Sequence, residues 1–254
     1  MGLGALPQRA LRNRVSDSVG ILVAMAVECR SLTARRIPEG GCLDLGDGCV
    51  VGFSGAGPLA AKRNAESLAA HGATALISWG CAAALADGMA PGDLVLPGHI
   101  IGTDGRRLDT DPAWRERLAC LLTGKLTVHC GSLAESEHIV GKEAEKRAIH
   151  AATHAIALDM ESAAAARAAL GLGLPFLGIR SIVDPVKTTI PDSIQAAFDE
   201  NGMLHVPRML GRALLHPADF IDVIRLGRHF DAAMKTLKAV AVIARGTRFA
   251  APNA

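Results

Sequence analysis

Ala157-Leu-Asp-Met-Glu-Ser-Ala-Ala-Ala-Ala166 and, after a short spacer, Arg180-Ser-Ile-Val-Asp184 are two places where an apolar strand gives way to an acid. The spacing predicts a strand over Ala155–Leu158, a helix over Met160–Leu170 and a strand over Pro175–Val183. Glu161 then opens the helix and Asp184 ends the second strand. In an open α/β sheet, ligands sit in the crevice outside the carboxyl ends of the strands. Both acids are therefore delivered to the side of the sheet where chemistry takes place, and Glu161 and Asp184 are expected to converge on one cavity there.

The same alternation extends in both directions. Ile21–Met25 reads as a buried first strand and Glu28–Arg35 as a helix start. Gly40–Phe53 reads as a hairpin turning at Gly46-Asp47-Gly48. A helix over Leu59–His71 is stopped by Gly72, and a second buried strand, Ala75–Trp79, runs out into Gly80-Cys81-Ala82-Ala83. Asp93–Pro97 and Leu126–Cys130 are further strands, with a helix over Pro112–Leu122 between them; Lys142–His150 is another helix. Strands alternating with helices at this interval predict an α/β layer sandwich. With no linker and no repeat, 20–254 reads as one domain, preceded by a disordered leader over 1–19.

Composition limits the rest. The chain has 254 residues, half of them apolar and 3% aromatic, with no Tyr. That is enough for a sizeable core built from Ala, Val, Leu and Ile. A net charge of +2 does not suggest a nucleic-acid partner. Six scattered cysteines without a C-x-x-C pair suit reduced thiols in a cytoplasmic protein. No apolar run is long enough for a membrane span or signal peptide. The C-terminal stretch 205–250 is helical in pattern, broken by Pro207, Pro217 and Gly227. Between Arg208 and Arg248 it holds eight Lys/Arg against three Asp. Such a tail suits a solvated helical lid or an oligomer contact first, and a peripheral anionic membrane surface second.

Leu158-Asp-Met-Glu-Ser-Ala-Ala-Ala resembles the (V/A)-E-M-E-(A/S)-A-A segment of the purine nucleoside phosphorylase and methylthioadenosine/adenosylhomocysteine nucleosidase superfamily, and Arg180-Ser-Ile-Val-Asp184 is similar to its R-x-I-S-D. The resemblance covers about Ile21 to Val186. Asp184-Pro, Phe198-Asp-Glu-Asn-Gly, Glu143–Ala148 and the basic tail are most similar to the bacterial hopanoid-associated nucleoside phosphorylases. The resemblance implies a three-layer α/β/α sandwich with a central mixed β-sheet. It further implies cleavage of an adenosyl N-glycosidic bond, with adenosylhopane as substrate in the narrower group. No metal or organic cofactor is implied, and a homo-oligomer is expected by analogy.

Carried over by position, Glu161 accepts hydrogen bonds from ribose hydroxyls, where negative charge favours an oxocarbenium-like sugar. Met160 packs against the sugar. Asp184 protonates adenine at N7, because adenine leaves poorly as an anion; acid help of this kind is worth about 10²–10⁴-fold. Glu28 matches the glutamate that activates water in the nucleosidase branch, where phosphorylases tend to place Arg. Arg30 is in reach of an anion. Cys81 and Ala82 fall in the small-residue loop, Ile139 and Val140 at the positions that sandwich the purine, and Gly55 in a Gly-rich turn able to form an anion nest. Plainer readings stand beside these: Glu161 as a helix-opening acid, Asp184 as an Asp-Pro turn, Cys81 as a small thiol, Ser54–Gly57 as an ordinary strand-to-helix connection.

The chain departs from the pattern at Val183, where the family often has Ser, and at Ser78 and Cys81, where phosphorylases have Arg and Ser. Hydrolysis is thereby favoured, with phosphorolysis, phosphate as co-substrate, as the alternative. A non-catalytic nucleoside sensor would lack Glu161 or Asp184, and both are present. A dinucleotide-binding oxidoreductase would need a G-x-G-x-x-G after the first strand, and there is none.

Overall fold

The computed structural model describes residues 18–55, 57–190 and 219–252. Readings that fall on 1–17, on Ala56 and on 191–218, including Phe198-Asp-Glu-Asn-Gly and the start of the basic tail, lie outside them.

Nine strands form one mixed sheet among the described residues. They are β1 (Ser18–Val23), β2 (Cys42–Gly46), β3 (Cys49–Phe53), β4 (Ala73–Ala84), β5 (Leu94–Ile101), β6 (Arg107–Asp109), β7 (Val128–Glu135), β8 (Ala157–Asp159) and β9 (Phe176–Asp184). The order runs β2-β3-β1-β4-β8-β7-β5-β6, and β9 bridges β4 and β5. Strands β4, β8, β7, β5 and β9 therefore close a circuit, so this part of the sheet curls back on itself. β1 is parallel to β3 and β4, and β9 is parallel to β4 and antiparallel to β5.

Helices cover both faces. Side chains alternate along a strand, so Leu22 and Leu76 face helices α2 (Pro58–Ala70) and α5 (Ser162–Gly171), packing with Leu68, Ala163, Ala166 and Ala169. The run of alanines in α5 keeps that helix close to the strands. Ile21, Val23, Ile77, Trp79 and Ile179 face the other way. They meet α1 (Ala26–Cys29), α3 (Pro112–Leu122) and α6 (Asp219–Ala244) through Cys29, Trp114, Leu118, Leu237, Val240 and Ala244. Burial on both faces explains why these strands read as unbroken apolar runs. The expected three-layer α/β/α sandwich is what is found. Helix α4 (Glu143–Thr153) follows β7 and ends at His154 in a left-handed turn, φ 56°.

Several boundaries differ from the sequence reading. β1 begins at Ser18, so Ser18 and Val19, placed in the leader, are buried strand residues. The helix expected at Glu28–Arg35 is the single turn Ala26–Cys29. β4 runs on to Ala84, so Cys81 and Ala82 belong to a strand and not to a loop. The three-residue edge strand β6 was not foreseen. α6 passes through Gly227 without a break; packing overrides a cost of about 1 kcal/mol. The apolar face of α6 (Ala233, Leu237, Val240, Ala241 and Ala244) is buried against the protein's own core.

After α6 the chain makes a short 3-10 segment, Arg245–Ala250, with Arg248, Phe249 and Ala250 all at positive φ. Phe249 is fully buried, edge-on to Trp79 at 5.6 Å, and its carbonyl accepts a 2.7 Å hydrogen bond from Trp114 Nε1.

Candidate active site

Strand β1 ends under α1, whose one turn carries Glu28 inward. Glu28 is 3% exposed. Its Oε1 accepts from the Cys81 amide at 2.8 Å and its Oε2 from the Met25 amide at 3.3 Å. The approach depends on Gly80: a Cβ there would stand 2.6 Å from Glu28 Oε1. Ser31 Oγ donates to the Glu28 carbonyl at 2.6 Å and accepts from Trp79 Nε1 at 2.9 Å, tying the turn to β4. Burial raises the Glu28 carboxyl to about 7, and the nearby Arg180 guanidinium holds it from going further.

Across the cleft, β8 ends in Asp159. Its carboxylate accepts from Arg180 Nε at 2.6 Å and from Ser162 Oγ at 2.5 Å, and caps α5 through the Ser162 amide at 3.3 Å. Asp159, two residues before Glu161, therefore does the capping that a helix start requires. Glu161 stands at the N-cap position and its side chain makes no capping hydrogen bond. Its carboxyl is pushed up to about 8, by burial first and by the Asp159 charge second. Arg180 is 3% exposed and donates to Ser78 Oγ at 2.6 Å and to the Ile179 carbonyl at 2.9 Å as well as to Asp159.

Glu28, Ser54, Ser78, Trp79, Gly80, Cys81, Glu161 and Arg180 line one cleft with Leu22, Val23 and Ala24. Its interior volume is about 20 Å³, room for about one water. The Arg180 guanidinium faces the carboxyls of Glu28, Asp159 and Glu161, and burial raises two of them, Glu28 and Glu161. Cys81 has its thiol raised well above the ordinary range by burial and by Glu28, which suits an inert small side chain.

The expected site residues divide. Glu28, Cys81 and Glu161 come together. Asp184 does not line this cleft, contrary to the expectation that it shares one cavity with Glu161. It is 3% exposed at the end of β9, and its Oδ2 lies 2.6 Å from Lys146 Nζ. Topology still puts the two acids at the same sheet end. Ala83 of β4 is paired with Leu158 on one side and with Asp184 on the other. Met160 is half-buried beside Glu161. Ala82 is buried in β4, and Val140 sits in a small core with Leu85, Ala134, Ala155 and Leu158, with Ile139 half-buried next to it. Arg30 is exposed and outside the cleft; the cation facing the acids is Arg180 instead. Gly55, at φ 75°, has Glu39 where a Cβ would stand, which is a packing reason for glycine. The nest expected over Ser54–Gly57 includes the undescribed Ala56.

Two buried ion pairs, Arg180–Asp159 and Lys146–Asp184, escaped the sequence reading. Arg180 and Asp159 form a buried pair, and the signal was present: a charge inside an otherwise apolar strand requires a partner. Lys146 was not singled out in the sequence, although its i+3 neighbour Ile149, packed against a small core, marks the inward stripe of α4. Among the described residues, no cluster of three or more His, Cys, Asp or Glu side chains could hold a metal ion.

The sequence model of the Phosphorylase superfamily matches residues 43–211. The chain belongs to this superfamily. Both quoted motifs and the β4 wall of the cleft lie inside the matched span. No protein of curated function matches the sequence. Solved structures with the superfamily fold resemble it closely in shape and weakly in sequence. Futalosine hydrolase of Helicobacter pylori has a TM-score of 0.66 at 18% identity, covering 90% of this chain and 98% of that one. The 5′-methylthioadenosine/S-adenosylhomocysteine nucleosidase of Neisseria meningitidis, in complex with methylthio-immucillin-A, has 0.65 at 20%, covering 90% and 99%. A mutant of the Helicobacter pylori nucleosidase with 5′-methylthioadenosine in its active site has 0.64 at 17%, covering 88% and 97%. Superfamily membership bears out the expectation of an enzyme of nucleosidase or nucleoside phosphorylase type.

Proposed function

We propose that this member of the Phosphorylase superfamily hydrolyses the N-glycosidic bond of an adenosyl nucleoside and releases adenine. Water is added to C1′ as the bond to N9 breaks. Glu28 takes the water's proton, the bond's electrons pass into the purine, and Asp184 supplies the proton that N7 needs. Glu161 holds the ribose hydroxyls. The products are the free sugar and neutral adenine, and the two carboxyls exchange the proton back through solvent.

The observation that carries the choice of water over phosphate is the state of Arg180. It is the one cation among the lining residues, and its guanidinium is already engaged by Asp159, Ser78 and the Ile179 carbonyl. A phosphate dianion entering here would meet two lining carboxyls, Glu28 and Glu161, and no uncommitted side-chain cation. A buried glutamate that titrates close to neutrality, beside room for a water, suits a general base. The names of the structural neighbours, nucleosidase and hydrolase, point the same way.

The finer reading is that the 5′ substituent is a hydrocarbon, as in adenosylhopane. It rests on the resemblance of Asp184-Pro, Phe198-Asp-Glu-Asn-Gly and Glu143–Ala148 to the hopanoid-associated group. Incubation with adenosine, methylthioadenosine and an adenosyl-hydrocarbon, each with and without phosphate, is the test, with free adenine as readout. Release without phosphate, fastest for the adenosyl-hydrocarbon, is expected. Release that needs phosphate would replace hydrolysis by phosphorolysis; tight binding without release would make the protein a sensor.

A further inference from the structure

Lys146 is completely shielded from solvent, whereas its helix neighbours Glu145 and Arg147 reach outward to His138 and to Glu143 and Asp87. Three oxygens surround its ammonium: Asp184 Oδ2 at 2.6 Å, the Thr188 carbonyl at 2.9 Å and the Pro185 carbonyl at 3.1 Å. Taking a lysine out of water costs several kcal/mol unless such partners compensate. The lysine joins α4 to the turn that follows β9 and engages one oxygen of the aspartate at the strand's end. Both carboxyl oxygens of Asp184 are buried and neither has a hydrogen-bond partner among the described residues; Oδ2 is held by the ion pair with Lys146, and Oδ1 has no charged partner beside it. Lys146, like Asp184, lies outside the cleft lining, and the oxygens around its ammonium account for its burial.

We infer that Lys146 is a positioning residue for Asp184: it fixes the carboxyl through Oδ2, clasps the Pro185–Thr188 turn, and governs how readily Oδ1 takes up the proton destined for the departing purine. This rests on the reading of Asp184 as the acid of N-glycosidic cleavage. The charge balance around Asp184 is simple. Burial raises its carboxyl to about 6, and Lys146 is the group that opposes the rise. His229 of α6 bonds the Val183 backbone through its ring, its Nδ1 is buried without a hydrogen-bond partner among the described residues, and burial lowers its tendency to carry charge. Lys187 is exposed, 3.9 Å from Asp87.

Lys146→Met keeps the length of the side chain and removes its charge. Asp184 should then stay protonated to higher pH. The alkaline limb of kcat/KM for adenine release is expected to move up by about one pH unit or more, with KM changed less than about two-fold. Lys146→Arg, which keeps the charge, should hold the limb near its original place. A limb that stays fixed in Lys146→Met while kcat or thermal stability falls would reduce Lys146 to a structural prop and overturn the inference. Should methionine prevent folding, Lys146→Gln gives the same comparison and keeps donors for the two carbonyls. The carboxyl can also be followed without turnover, by carbon-13 NMR titration with the Asp184 signal assigned by its loss in Asp184→Asn. If the wild-type protein releases no adenine, the enzymatic reading fails on its own. The NMR comparison still decides the coupling: an unmoved Asp184 titration in Lys146→Met refutes it.

Discussion

Glu28 and Asp184 divide the chemistry because burial treats them differently from solvated acids. Glu28 titrates at about 7 and must be ionised to accept a proton, while Asp184 titrates at about 6 and must be protonated to give one. Activity is therefore expected to follow a narrow bell centred between those values, as the pair's macroscopic pKa values, measured as kcat/KM against pH. Glu28→Gln should lower kcat by about 10²-fold or more and stabilise the fold. A carboxyl raised from 4.5 to about 7 contributes stability that is fully present below 4.5 and is lost as pH rises through 7. The stability gap between Glu28→Gln and wild type should accordingly open between those pH values and stay level above, at about 1–3 kcal/mol, read by urea denaturation. A gap that is constant with pH would mean that Glu28 is not raised. Asp184→Asn should reduce adenine release by about 10²–10⁴-fold without loss of fold; unchanged turnover would remove Asp184 from its role. The residue types of this site were legible because the chain retains Met160-Glu161 and Arg180…Asp184. Their partners were not, because Arg180–Asp159 and Lys146–Asp184 join residues 21 and 38 positions apart in sequence, and no periodicity encodes such pairs.

At the scale of elements, what was read correctly is what period and punctuation determine. The hairpin turning at Gly46-Asp47-Gly48, the helix begun by Asp111-Pro112 and the strand ended by Asp184 are where they were expected. What was misread depends on packing. The turn at Glu28 stops after Cys29 because the chain is recruited to cover Trp79, and β4 continues past Trp79 because β8 and β9 flank it to its end. Gly80 is the point where strand and turn nearly touch. Gly80→Ala places a methyl 2.6 Å from Glu28 Oε1. The expected cost is about 1–3 kcal/mol of stability, together with loss of turnover as the carboxylate is pushed aside. Wild-type kcat in this variant would show that Glu28 has freedom to move, and with it that the Cys81 amide is not essential to its aim.

At the scale of the whole molecule, among the described residues, the C-terminal segment is anchored to the core through the Phe249 side chain. Phe249 fills the space between β4, α3 and α6, in a segment where three successive non-glycine residues adopt positive φ. Each such residue costs of order 1 kcal/mol or more, so the packing beneath must hold them. Phe249→Ala should destabilise the fold by about 3–5 kcal/mol, measured by chemical denaturation; a loss under 1 kcal/mol would show that the segment is not anchored there. Fold class was legible at this scale because strands and helices alternate throughout. The clasp was not, since an isolated Phe near a chain end carries no periodic signal.

That clasp has an optical corollary. The chain has two indoles and no tyrosine, so its ultraviolet emission comes from Trp79 and Trp114 alone. The first stacks edgewise on the Phe249 ring and the second donates to the Phe249 carbonyl. Both fluorophores thus watch the same terminal latch, while the Trp79 indole also borders Glu28's cleft. A nucleoside entering that cleft should change Trp79 emission and leave Trp114 as a steady background, whereas unlatching of the chain end should redden both together.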